Sequence, residues 1–197
     1  MGKKRDMRIF FNVSAAFFFM LALVSCTTPV TENFEEMKVD ENTESSKVQQ
    51  VLLNVRQKTD AGYLGLKSTG EFRVDDIAAK AVIIYVMSST CPTCLEAVEG
   101  MNDLKAEIDK RKADIKIIVI AAGDSEKAAS EFREQTTFDF PVFADPDGQL
   151  ATVLEIDAVP HLIAVVRDED NAYNIIFDHH LIMQDPEGFL DFLVKNM

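Results

Sequence analysis

The sequence predicts an α/β fold with a central mixed β-sheet between helices on both faces, and three observations carry that prediction. Residues 82–87, Val-Ile-Ile-Tyr-Val-Met, are apolar on both alternating faces and mostly β-branched, which suits a strand covered on both sides. Strand-like and helix-like stretches alternate from there to about residue 166. A turn-linked strand pair and a terminal helix then close the chain, so parallel and antiparallel neighbours share one sheet.

The first 26 residues read as an export address and not as part of that fold. Lys3, Lys4, Arg5 and Arg8 precede an apolar run, Ile9 to Leu23, interrupted only by Asn12 and Ser14. The run is shorter than the ~20 apolar residues a membrane span needs. Leu23-Val24-Ser25-Cys26 follows and resembles the lipobox of bacterial lipoproteins. That resemblance implies a signal peptide over residues 1–25, cleavage, and a lipid anchor on Cys26. A plain secretory signal and an uncleaved signal anchor are the alternatives, and both still export the chain. Thr27 stands where aspartate marks inner-membrane retention in some bacteria, which favours the outer membrane.

Loss of residues 1–25 removes four of the 20 basic residues and one of the 33 acidic ones, leaving 16 against 32 and a net charge of −16. Nucleic acid and bare anionic lipid are poor partners for such a surface. With 197 residues, 47% of them hydrophobic, the chain can bury one core. Three cysteines are too few for a disulfide scaffold.

Residues 26–47 are rich in Thr, Glu, Asn and Ser and are expected to form a flexible tether, with the folded domain spanning 48–197. Val48, Val51, Leu52 and Val55 fall at the spacing of an amphipathic helix. Gly65 and Gly70 mark turns, Phe72 to Val74 reads as a strand, and Asp75-Asp76 cap one helical turn before the central strand. After it, Leu95, Val98, Met101, Leu104 and Ile108 keep helical spacing to about Ala113, and Ile115 to Ala121 is a second buried strand. Asp124 or Ser125 caps a helix running through Phe132. Phe138 to Ala144 is extended, with Pro141 pointing to an edge, and Asp145-Pro-Asp-Gly148 is a turn. Leu150 to Ile156 is a short helix. Leu162 to Val166 and Tyr173 to Phe177 are strands joined by a turn at 168–171, and Pro186 to Val194 is the final helix.

The chemistry concentrates in Cys91-Pro92-Thr93-Cys94, where the apolar run ends at Ser88-Ser89-Thr90. Pro92 suits the first turn of a helix, since its missing N–H would have had no intrahelical partner. A cysteine just ahead of a helix meets unpaired N–H groups that favour the thiolate, so Cys91 is the candidate attacking sulfur. Cys94, one turn inside on the same side, is the candidate resolving sulfur. Half of a zinc site and two ordinary buried cysteines are the competing readings. However, Cys26, His161, His179 and His180 offer no second pair at zinc spacing, so no metal and no cofactor is expected.

The order of elements, together with Cys91 to Cys94 and Val159-Pro160, resembles the thioredoxin superfamily over roughly residues 60–197. It is most similar to the membrane-tethered TlpA/ResA type of extracytoplasmic thiol–disulfide oxidoreductase. The 65 residues between Cys94 and Pro160 leave room for an added helix and strand found in that branch. The resemblance implies a thioredoxin-like three-layer sandwich and a cis Pro160 facing the dithiol. Val159 would offer its backbone to the extended chain of a substrate, with Thr90 and Pro92 on the same substrate-binding face. It also implies cysteine-containing exported proteins and a membrane thiol–disulfide donor or acceptor as partners.

Two positions depart from the pattern: Thr90 replaces the usual Trp before the first cysteine, and Tyr85 stands where thioredoxin keeps a buried aspartate. Glu96 and Glu99 are the remaining candidates for a base near Cys94, against a simple role as solvated partners of the helix dipole. His161 either lends positive charge to a cysteine or merely opens a strand. His179 and His180 are expected at the surface.

Two other functions compete with thiol–disulfide exchange. One is a thiol peroxidase on the same fold, whose Pro-x-x-x-Thr-x-x-Cys pattern fits neither Cys91, preceded by Ser88 and Ile84, nor Cys94, preceded by Cys91 and Met87. The other is a tethered binding module that holds an extended segment against Val159.

Overall fold

The computed structural model describes residues 33–39 and 45–197. The expected signal peptide, Cys26 and the rest of the expected tether lie outside the described residues. Ser46–Gln49 form one helical turn, α1, and Leu52–Val55 form strand β1, antiparallel to β2 at Gly70–Arg73. This corrects the helix expected over residues 48–55. Val51, Leu53 and Val55 point inward while Leu52 is 45% exposed. The same apolar residues satisfy a period of two once Phe72 pairs with Leu53 across the hairpin, and β-branched Val51 and Val55 favour the extended form.

Helix α2, Lys58–Tyr63, lies inside the hairpin connection, and a 3-10 turn at Val74–Asp76 follows β2. Next come β3, Ala81–Met87; α3, Pro92–Glu96; α4, Val98–Arg111; β4, Ile115–Ala122; and α5, Glu126–Thr136. The chain ends with β5, Val142–Asp145; α6, Gln149–Val153; β6, His161–Arg167; β7, Tyr173–His180; and α7, Pro186–Lys195. Five strands form one sheet in the order β5-β4-β3-β6-β7. Strands β4 and β5 run parallel to β3, β6 runs antiparallel to it, and β7 is antiparallel to β6. This is the thioredoxin-like sandwich.

Every residue of β3 is buried, as a central strand requires. Ala81, Ile83, Tyr85 and Met87 face a layer built from α4 and α7, closed by Phe132, Phe138 and Phe140. Val82, Ile84 and Val86 face the β1–β2 hairpin, α2 and Leu154 beside α6. Gly100 in α4 lies so close to the Met183 carbonyl that a β-carbon there would overlap it, which lets the approach to α7 pass close over α4. Leu95, expected on the buried face, is 52% exposed because the helix breaks at Ala97 and turns its first part outward.

Residues 33–39 fall inside the stretch expected to be a flexible tether, yet they pack on the domain. Phe34 is buried against Phe177, Phe189 and Phe192, in edge-on and tilted contacts that favour aromatic clustering. Lys38 bridges to Phe177, and the Val39 N–H donates to the Ile176 carbonyl at 3.2 Å, so this segment runs along β7. His179, expected as a plain surface residue, contacts the Met37 carbonyl at 2.6 Å through its ring, edge-on to Phe177. Isolated apolar residues in a polar stretch gave no periodic signal for any of this.

A second tie joins the N-terminal region to β6 and β7. Lys47 Nζ donates to Asp178 at 2.7 Å, and His161 Nε2 meets the other carboxylate oxygen at 2.7 Å. Burial pushes Asp178 up, but the His161 and Lys47 hydrogen bonds outweigh it and hold its carboxyl below the usual range. A folded-state pKa below the unfolded value contributes stability above about pH 4, lost as pH falls through the folded value. Asp178→Asn should therefore lower stability by about 1–2 kcal/mol at neutral pH, roughly 3–6 °C in melting temperature. The gap between melts of the two proteins should shrink as pH falls from about 4 through the depressed folded-state value, and a gap that does not narrow with falling pH would contradict the assignment.

Candidate active site

The ends of β3 and β4 set the site. Their parallel register pairs Met87 with Ala121, so the two chains leave the sheet side by side and Ser88–Thr90 run next to Ala122–Asp124. Ser88 then accepts the Cys91 N–H at 3.0 Å, which closes the turn that delivers the dithiol. Cys91 is the N-cap of α3 in an extended conformation, with Pro92 in the first turn behind it.

The Cys91 sulfur is partly exposed, whereas Cys94 is fully buried, and both are free thiols. The Cys94 N–H points at Cys91 Sγ at 3.2 Å, and the Thr93 hydroxyl lies 3.2 Å from the same sulfur. Burial works against the Cys91 thiolate. The Cys94 thiol, the Thr93 hydroxyl and the backbone N–H groups of Cys94 and Thr93 outweigh it and hold the pKa below that of an ordinary cysteine. Cys94 behaves oppositely. Burial first, then its hydrogen bond to Cys91, then the negative charges of Cys91 and Asp124 push it up to about 12, with only the Ser88 backbone acting the other way. One sulfur is set to attack while its neighbour keeps its proton.

Across the site the Val159–Pro160 peptide is cis, and the Val159 carbonyl lies 3.6 Å from Cys91 Sγ. Val159 is half-buried and Pro160 buried, while Thr90 and Pro92 are exposed beside the sulfur. The structure thus brings Cys91, Cys94, Thr90, Pro92, Val159 and Pro160 to one end of the sheet. His161 is not among them: its alternation along β6 turns its ring toward Asp178. Glu96 and Glu99 are exposed and hydrogen-bond to neither sulfur.

Tyr85, at the position of thioredoxin's aspartate, donates its hydroxyl to the Cys94 carbonyl at 3.4 Å. Burial, and after it the two cysteines, raise its pKa, so it remains a donor and supplies no base. A residue weighed in the sequence only as a helix cap is closer to the chemistry. Ser125 caps α5, leaving Asp124, 6% exposed, to accept the Ser89 N–H at 2.7 Å and the Ser89 hydroxyl at 2.6 Å. The available signal was the pairing of two buried strands in parallel, which places the residues after each strand together.

Thr93→Val keeps shape and removes one donor from the Cys91 thiolate. The pH midpoint of Cys91 thiolate formation, followed by ultraviolet absorbance in a Cys94→Ala background, should move upward. An unchanged midpoint would remove Thr93 from the set of stabilising groups.

Residues 48–180 match the AhpC/TSA family. No curated protein matches the chain. Among solved structures, a secreted Mycobacterium tuberculosis disulfide oxidoreductase homologous to E. coli DsbE superposes with a TM-score of 0.54 at 14% identity, covering 78% of this chain and 99% of that one. A putative thiol:disulfide interchange protein DsbE from Chlorobium tepidum gives 0.52 at 16% identity, with 75% and 94% covered. The bacterioferritin comigratory protein of Xanthomonas campestris gives 0.56 at 16%, with 77% and 94% covered. These likenesses are of fold. With the family matched over most of its length and a dithiol at the helix start, the chain belongs to the AhpC/TSA family of thioredoxin-fold oxidoreductases.

Proposed function

We propose that this protein is a lipid-anchored thiol–disulfide oxidoreductase of the bacterial cell envelope, exchanging electrons with cysteines of exported proteins through Cys91 and Cys94. One observation carries the reading: the half-exposed Cys91 sulfur receives the Cys94 N–H at 3.2 Å and lies 3.6 Å from the Val159 carbonyl. A nucleophile, its resolving partner and a backbone rail for an extended substrate therefore meet at one point.

In the reductive direction the Cys91 thiolate attacks a substrate disulfide. A Cys91–substrate S–S bond forms, the substrate bond breaks, and one substrate sulfur leaves as a thiolate that takes up a proton. Cys94 then loses its proton and attacks Cys91 Sγ. The Cys91–Cys94 disulfide forms and the second substrate thiolate departs, so the substrate gains two electrons and the dithiol loses them. A membrane donor restores the dithiol by the same exchange in reverse. Export and anchoring rest on residues 1–26, with Cys26 as the lipidated residue and the folded part facing the periplasm.

The test uses the full chain expressed in a bacterium with an envelope. Cys94→Ala should accumulate mixed disulfides with envelope proteins, released by reductant, while Cys91→Ala should trap none. Equal capture by both variants, surviving reductant, would instead mean a binding module. Rapid loss of hydrogen peroxide coupled to oxidation of Cys91 would mean a peroxidase. Cys26→Ala should move the protein from the membrane fraction to the soluble envelope fraction; unchanged sedimentation with membranes would overturn the anchor.

A further inference from the structure

Leu95, 52% exposed, is the most exposed large apolar side chain among the described residues, and its N–H donates to the Cys91 carbonyl at 3.3 Å. A single leucine at a surface is ordinary, but this one opens a groove. The groove, about 580 Å³, runs from Leu95 and half-buried Val98 along α4, past Glu99, Asn102 and Asp103, to the C-terminal end of α5. Positions 95, 98, 99, 102 and 103 share one helical face at spacings of three and four, carried across the break at Ala97. Asn102 Nδ2 donates to the Thr136 carbonyl at 3.0 Å and ties the two walls together.

The walls are negative. Glu99 and Asp103 are exposed, and no lysine, arginine or histidine lines the groove. The last carbonyls of α5 add the negative end of its dipole. Further along α4 the acids are paired: Glu107 with Lys110 at 2.7 Å and Arg111 at 3.6 Å, and Asp109 with Lys105. Glu99 and Asp103, four residues apart, instead face each other as like charges, an unfavourable pair that a cation between them would relieve.

These features choose the occupant. A second copy of this acidic chain would bring like charge, and so would residues 40–44 with Asp40, Glu41 and Glu44. An apolar floor under negative walls fits a foreign segment that carries an apolar side chain beside a lysine or arginine. The location fits as well. Val159 reaches Cys91 from the β6 side of β3, whereas α5 follows β4 on the opposite side, so the groove extends the contact face beyond the far side of the dithiol.

Resting on the thiol–disulfide reading above, we propose that the α4–α5 groove is a docking site that selects exported cysteine segments bearing a basic side chain next to an apolar one. Leu95 and Val98 take the apolar side chain, Glu99 and Asp103 take the cation, and the segment's cysteine is held against Cys91. The groove acts on the encounter, before the first sulfur exchange, so it sets which partners react fastest.

The experiment uses two cysteine peptides, each carrying a leucine near the cysteine and then either two lysines or two glutamates, loaded as mixed disulfides with 5-thio-2-nitrobenzoate. The Cys91 thiolate attacks the peptide sulfur, the Cys91–peptide bond forms, and coloured thionitrobenzoate leaves as the thiolate. With wild-type full-length protein at low salt the lysine peptide should release it about three- to tenfold faster than the glutamate peptide, and the preference should collapse in ~0.5 M salt. Glu99→Gln with Asp103→Asn should erase the preference. Glu169→Gln with Asp170→Asn, which changes net charge equally at the exposed turn between β6 and β7, should keep it. Leu95→Asn should slow both peptides by a similar factor. No preference in wild type, the same loss from the remote pair, or a Leu95→Asn protein as fast as wild type would overturn the groove. Release from neither peptide by wild type would instead overturn the thiol–disulfide reading itself, and this proposal with it.

Discussion

The structure depends on a sulfur held at the start of a helix by the amide of its own partner. The Cys94 N–H directed at Cys91 Sγ is one of the free donors that any helix must leave at its N-terminus. Here it is spent on stabilising negative sulfur. Because α3 has only five residues, the macrodipole contributes little beyond these local donors, and the Thr93 hydroxyl supplies what a longer helix would have added. The central strand exists to place this group. Strand β3 is paired along its length with β4 on one side and β6 on the other, so the residues that follow it are fixed relative to both.

The two cysteines share one turn of chain yet meet opposite environments. Cys91 is reached by solvent and by four donors, whereas Cys94 sits under the core with an anion near it. Two like groups pushed apart by their surroundings can divide a reaction between them. Tyr85 belongs to the same logic. At a position where a carboxylate would accept a proton, a buried phenol can only donate.

Much of this was legible in the residues. The dithiol, the helix start at Pro92, the buried strands and the terminal hairpin and helix all carry local signals: a proline at a permitted position, unbroken apolar runs, turn residues between them. Other features were not. Val48 to Val55 satisfied two periods at once, and only the partner strand at Phe72 decides between them. Phe34 lies in a polar stretch where nothing local distinguishes a buried ring from an exposed one. Asp124 and Ser89 are 35 residues apart, and their meeting follows from strand pairing that no motif encodes. His161 has the chemistry of a thiolate partner, since a protonated imidazole would favour the thiolate, but alternation along β6 sends its ring to Asp178.

The segment along β7 has a further effect. The outer strands of an open sheet present unpaired amides and carbonyls that invite a strand from another molecule. Lys38 and Val39 occupy part of that border on one side. On the other, β5 has four residues and follows Pro141, which has no N–H to give. Both rims of the five-stranded sheet are thereby blunted, which disfavours edge-to-edge pairing of one copy of the chain with another.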